Sequence, residues 1–208
     1  MECKEHYPDD FKAALRRTPI KNGEIETLCA SSSARPIFVY GQLMLPTILK
    51  YFAGVPETGP ADQKLDMIPA KLPEHKLHHF TKHGEPGLPV MTTSEYRSDK
   101  VQGMLVFGLR KEQHRDLLQL ECGCSDQNMP VNLKVQVPFG GKAHGYDVHF
   151  WKSVEATALV WRTGTREMSG LSPMETTYWP IDDFIAGQLY ANIVEQVERQ
   201  ERLRYDMA

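Results

Sequence analysis

Apolar and polar positions divide this chain into short continuous or alternating runs, separated by glycine and proline. Ile37-Phe38-Val39-Tyr40 is an unbroken β-branched and aromatic run, the pattern of a buried strand. Gly41 ends it, and Pro46 suits the first turn of a helix whose Leu45, Ile48, Leu49 and Phe52 recur along one face. Residues 36–53 therefore predict strand, tight glycine loop, helix. From 54 to 100 prolines are frequent and periodic stretches few, so this part reads as loop with one strand near 66–72. Val101, Gly103, Leu105, Phe107 and Leu109 share one face of a further strand, and residues 111–121 read as a helix. Val131, Leu133, Val135 and Val137 alternate with Asn132, Lys134 and Gln136, a half-buried strand. Phe139-Gly140-Gly141 is a turn signal. Tyr146, Val148 and Phe150 alternate after it, and Val154–Trp161 gives one more strand.

At the C-terminus Asp182 or Asp183 can cap a helix after Pro180, with Ile185, Leu189, Ile193 and Val197 along its apolar stripe. Residues 1–34 read as a partly flexible N-terminal extension. They hold a short basic helical stretch, and Ser31-Ser32-Ser33 is a linker signal before the first strong strand. One domain, 35–208, follows. Strands dominate its middle and helices punctuate it. The class is therefore α+β, a mostly antiparallel sheet or barrel flanked by helices, with a long C-terminal helix.

Composition narrows the function. Lys and Arg total 24 against 27 Asp and Glu, a net charge of −3, so no electrostatic footprint for nucleic acid is present. No apolar run approaches the roughly 18 residues of a membrane span, and residues 1–17 lack the apolar core of a signal peptide. Four cysteines are no disulfide scaffold, and Cys122 and Cys124 are too close for a CxxC zinc pair. The expectation is a cytoplasmic protein with reduced thiols, acting on a small molecule, with no membrane or nucleic-acid partner.

Three groups of residues could carry chemistry. The loop Tyr40-Gly41-Gln42-Leu43 either exposes backbone N–H groups to a carboxylate or oxyanion near a helix N-terminus, or is a plain tight turn. Glu121 shares a helical stripe with His114, Leu117 and Leu118. Carried inward, its carboxyl would be desolvated and its pKa raised towards neutrality, which suits proton transfer; rotated outward at the helix end, it would be inert. His75, His78, His79 and His83 cluster, and His75 and His79 would form a metal pair on a helix. Lys76, Lys82 and the lack of nearby carboxylates suit a polar surface segment better. No GxSxG elbow occurs.

Phe38-Val39-Tyr40-Gly41-Gln42-Leu43-Met44, followed by Pro46 and Leu49, resembles the opening strand and VYGTL loop of the gamma-glutamylcyclotransferase-like family, also called AIG2-like. Leu88-Pro89-Val90 is similar to its YPAV segment, Val101-x-Gly103-x-Leu105 to its VxGxL strand, and Leu117–Glu121 to its LDxFEG segment. Ala158–Trp161 stands where the family has a TYVW-like strand, and Trp179–Phe184 resembles the closing motif of fungal-type members. The resemblance spans about 35 to 190. It implies a small mixed β-barrel flanked by helices, and intramolecular acyl transfer in which the α-amine of a γ-glutamyl compound attacks its own γ-carbonyl. It further implies Glu121 as general acid–base, the backbone of Tyr40, Gly41, Gln42 and Leu43 as substrate grip, and no metal or cofactor.

The departures are specific. Gln42 replaces the loop's Thr, Leu118 and Leu120 the Asp and Phe, Cys122 the Gly after the Glu, and Leu159 a Tyr; the Tyr and Arg that follow the FEG segment are missing. A pocket that keeps its carboxylate but loses hydroxyls and a guanidinium suits a less polar substrate. The alternative is a catalytically silent member that serves as a binding or interaction module. Retention of Glu121 favours the enzyme.

Overall fold

The computed structural model describes residues 2–17, 19–21, 23–55, 65–80, 88–123, 127–143, 146–162 and 170–205. Side chains of Leu88, of residues 121–123, 141–143 and 146–149, and of Glu201, Arg204 and Tyr205 lie outside that description. Helices α1 (Asp9–Leu15) and α2 (Glu24–Ser31) precede β1 (Ile37–Val39), a 3-10 turn (Gly41–Met44) and α3 (Pro46–Phe52). Then come β2 (Asp66–Pro73), β3 (His75–Phe80), β4 (Leu88–Thr93), β5 (Lys100–Phe107), α4 (Lys111–Gly123) and the long pair β6 (Asn128–Ala143) and β7 (Tyr146–Trp161). Strand β8 (Leu171–Pro173) and helices α5 (Asp182–Ile185) and α6 (Gln188–Tyr205) follow.

The architecture is α+β, with a closed barrel in the order β1-β5-β2-β6-β7 and a separate sheet β4-β3-β8. Only the seam between β1 and β7 is parallel, Phe38 lying beside Ala158; the other barrel pairs are antiparallel. Strand alternation then sorts side chains into two cores. Phe38, Ile68, Leu72, Val101, Leu105, Phe107, Val135 and Ala156 belong to the cluster that fills the barrel. Their neighbours Ile37, Val39, Met67, Met104 and Val106 face outward and are buried under Phe11, Ile48, Leu49 and Ile193 from the helices. The single apolar face read for β5 is therefore half of it: from Gly103 to Phe107 both faces are buried. Gly103 stands where a Cβ would strike the Val39 carbonyl and come within 2.8 Å of the Phe38 ring.

Several expectations change. Strands β3 and β4 occupy the stretch read as loop. Prolines at 73 and 89 sit at a strand's last residue and in an outer strand, where the missing N–H is tolerated. The turn read at Phe139-Gly140-Gly141 is continuous strand: β6 and β7 pair without a break from Asn128–Trp161 to Ala143–Tyr146, and Phe139 stacks on Phe150 at 5.7 Å. Residues 144–145 lie outside the described residues. The C-terminal helix is two, meeting at Gly187, and neither Asp182 nor Asp183 caps it. Asp182 instead accepts from Lys4 at 2.7 Å and pairs with His6 at 2.8 Å. On α6, Ile193 is buried but Leu189 stays 59% exposed.

The N-terminal stretch read as an extension is built into the body. Tyr7, Phe11, Ile20, Ile25 and Leu28 are all buried. Ile20 exchanges backbone hydrogen bonds with Pro138 and Gly140 of β6, and Arg17 pairs with Asp66 of β2 and Glu24. The serine run does not behave as a linker. Ser31 ends α2, and the Ser32 hydroxyl accepts from the Gly108 N–H at 3.1 Å.

Candidate active site at one end of the barrel

Strand direction gathers the candidate residues. Strand β1 leaves the barrel at Val39, β2 at Pro73 and β7 at Trp161, while β5 enters at Lys100 and β6 at Asn128; the register sets all five at one end. The Tyr40–Leu43 loop opens there. Helix α4 finishes a few residues before β6 begins, so its C-terminal end reaches the same rim.

At the loop, Gly41 has φ +69°, a left-handed conformation that favours glycine, and a Cβ would come within 2.7 Å of Pro89 Cγ. The residues after it form a 3-10 turn, closed by the Leu45 N–H donating to the Gln42 carbonyl at 3.1 Å. Tyr40 is half-buried, and its hydroxyl donates to the Leu159 carbonyl at 3.2 Å, tying loop to β7. No local residue caps α3. Asp10 of α1 does so from a distance, accepting from the Thr47 N–H at 3.0 Å and the Thr47 hydroxyl at 2.7 Å. Aromatic rings complete the rim: Trp161 packs on Phe80 at 4.8 Å and Trp179 on Phe184 at 5.7 Å. Where β1 stops, Thr177 takes its place beside β5, accepting from the Gln102 N–H and side-chain amide, both at 2.6 Å.

On α4 the stripe carrying Glu121 faces inward over its described part. Leu117 is fully buried and Leu118 packs on the helical core, whereas Leu120, off the stripe, is 41% exposed. His114 Nε2 is shielded from solvent without a partner, and burial pushes the imidazole pKa down, holding it neutral. Glu121 continues this stripe one turn further on; its side chain lies outside the described residues, as do those of Cys122 and Cys124. Structure thus brings the 40–43 loop and the Glu121-bearing helix end to one rim, without giving the distance between them.

The histidines do something else. Residues 75–80 are strand, so His75 and His79 are about 13 Å apart along it and form no i, i+4 pair. Nor is the segment polar surface: His75 and His78 are buried. His75 Nδ1–H donates to the Pro73 carbonyl at 2.7 Å, His78 Nδ1 faces the Thr92 hydroxyl at 3.4 Å, and burial pushes both pKa values down. His83 lies outside the described residues. Among the described residues no group of three His, Cys, Asp or Glu side chains could hold a metal, and no helix is long and apolar enough to cross a membrane. Cys3 and Cys29 are free thiols. Sequence reasoning missed Phe80 and the capping Asp10. His75-Lys76-Leu77-His78 alternates around an exposed Lys76, but histidines counted as polar hide that signal.

The sequence profile described as gamma-glutamyl cyclotransferase, AIG2-like, matches residues 37–179. No curated protein matches the chain. Among solved structures, a gamma-glutamyl cyclotransferase is similar at 14% identity and a TM-score of 0.46, over 68% of this chain and 72% of its own. An AIG2-like protein from Mus musculus is similar at 17% identity and a TM-score of 0.37, over 71% and 89%.

Proposed function

The chain belongs to the gamma-glutamyl cyclotransferase, AIG2-like family, and from that premise we propose that it is an acid–base acyl-transfer enzyme with Glu121 as its proton carrier. The observation that supports this best is the shared rim. The Tyr40–Leu43 loop and the inward stripe of α4 end at the same mouth of the barrel.

In the proposed reaction the free α-amine of the substrate attacks its own γ-carbonyl carbon. A carbon–nitrogen bond closes the five-membered ring, and the bond to the leaving nitrogen breaks. Glu121 takes the proton from the attacking nitrogen and returns it to the leaving one, so 5-oxoproline and a free amine form with no net proton change. Because both reacting groups belong to one molecule, holding them in register supplies much of the acceleration. The Gly41 and Gln42 N–H groups, first in a 3-10 turn, have no acceptor within it and suit the developing oxyanion.

Substrate choice follows from what lines the rim. Phe80, Trp161 and Tyr40 are aromatic, the Tyr40 hydroxyl is engaged by Leu159, and Leu159 replaces the family's phenol. These features support an amide bulkier or less polar than an ordinary γ-glutamyl dipeptide. The decisive variant is Glu121→Gln, assayed by amine release over γ-glutamyl dipeptides and bulkier γ-glutamyl amides. Turnover of the preferred amide should fall on the order of 10²–10⁴-fold with folding intact, as for loss of a positioned base. A folded Glu121→Gln protein that works at the wild-type rate would refute the mechanism, and a wild type inert towards the whole panel would favour the binding-module reading.

A further inference from the structure

The outer wall of β2 and β5 is covered unevenly. Met67, Met104 and Val106 lie under helices, but nearer the rim the outward positions are Lys71, Lys100 and Gln102. There the wall and the β6–β7 arm border a cavity of about 360 Å³, which Trp151 and Leu15 also line. This is the size range of small-molecule sites, and Lys71, Lys100 and Gln102 line it from outward positions of the barrel wall.

Its charges are unusual. Lys71 Nζ sits 3.5 Å from the centroid of the Trp151 ring, held by a cation–π contact. Lys100 shares the cavity and acts on Lys71 as a like charge. Among the described residues neither lysine has a carboxylate partner. Neighbouring cations are paired, Arg17 with Asp66 and Glu24, and Lys152 with Glu26. Lone surface lysines swing apart into water. Here an aromatic ring pins one ammonium against the wall, so the two charges converge on one concavity. Burial first and Lys100 second push the Lys71 pKa down, the sign expected where positive charge is concentrated without an anion.

We propose that this notch binds a small dianion, a molecule presenting a phosphate or two carboxylates, with Lys71 and Lys100 as its two cationic contacts and Trp151 as the wall that positions Lys71. The ligand chemistry is set by charge: two ammonium groups at one mouth discriminate in favour of two negative charges over one.

The test uses the full chain at low ionic strength, titrated with inorganic phosphate, with glutarate, and with acetate at matched ionic strength, read by tryptophan emission and calorimetry. At least one dianion should bind saturably and acetate should not; whichever binds identifies phosphate or dicarboxylate as the chemistry recognised. Lys71→Met and Lys100→Met should each weaken binding about tenfold or more, while Lys76→Met, on the exposed side of β3, leaves it unchanged. Trp151→Phe should remove the emission change while calorimetry still detects binding. Failure of both dianions to bind at millimolar concentration overturns the proposal. So does unchanged affinity in the folded Lys71→Met and Lys100→Met variants, or equal response to acetate. None of these readouts involves turnover, so they stand apart from the role assigned to Glu121.

Discussion

The wall formed by β1, β5 and β2 is built by opposite rules at its two levels. Low on the wall, Ile37, Met67, Val106 and Phe107 are sealed on both faces, and what matters is apolar volume. Near the rim, single contacts decide identity: Gly41 against Pro89, Gly103 against Phe38, Tyr40 on Leu159, Lys71 over Trp151. The lower level supplies the stability that lets the upper one hold positions of no benefit to folding, among them a positive-φ residue and two converging ammonium groups.

Cutting into the sealed level should have the largest effect on stability. Leu49→Ala leaves a cavity at a fully buried position and should cost about 2–5 kcal/mol in denaturant unfolding. A loss under 1 kcal/mol would mean that the helical layer collapses around the gap and is less tightly packed than its burial indicates. At the rim, Gly103→Ala or Gly41→Ala should cost about 1–3 kcal/mol, through overpacking at the first and a strained left-handed backbone at the second. Gly41→Ala should also depress turnover, since the added Cβ would push the loop off Pro89; an unchanged rate would detach the loop from catalysis.

The smallest effect is on pH dependence. His75, His78 and His114 are held neutral by burial, their pKa values below the ordinary 6.5. The unfolded chain protonates them first on acidification, so their contribution is complete above about pH 6.5 and is lost as pH falls through each native value. Melting temperature followed from pH 8 to 5 should drop over that window. The drop should be shallower in His75→Asn, which retains a side-chain donor in place of Nδ1–H. A parallel curve for the variant would exclude His75 as a source.

Much of this was legible in the order of residues, for identifiable reasons. Ile37–Val39 announces itself as an unbroken apolar run, and Val101–Phe107 and Val131–Val137 because apolar side chains repeat at strand period. The Tyr40–Leu43 loop could be singled out because strand, glycine and helix follow one another locally, and Glu121 because it shares a helical stripe with His114, Leu117 and Leu118. What escaped depends on distant partners. The sheet role of His75–Phe80 needs β4 and β8 beside it. Gly140 and Gly141 signal a turn in isolation, yet β7 pairs across them. Asp182 looks like a local cap, but Lys4 and His6 are stronger partners, supplied from the far end of the chain. The N-terminal residues read as an extension because Ser31-Ser32-Ser33 signals a linker before the first strong strand. Tyr7, Phe11 and Ile20 are few but all buried.

The parallel seam between β1 and β7 also sets an order of events in folding. Ile37 and Thr157 are about 120 residues apart in the chain, and β1 contributes three residues to the ring. Loop-closure entropy opposes so distant a pairing, and a parallel register cannot be nucleated by a hairpin. The β6–β7 hairpin, local and sixteen residues long on each side, is free to form first, and β5 can pair with β2 without waiting for it. The seam closes last. On a ribosome it cannot close until residue 157 has emerged, so one edge of β1 stays open through most of synthesis. The rim that holds the Tyr40–Leu43 loop is then among the final parts of the molecule to take shape, and the chain folds slowly for its size.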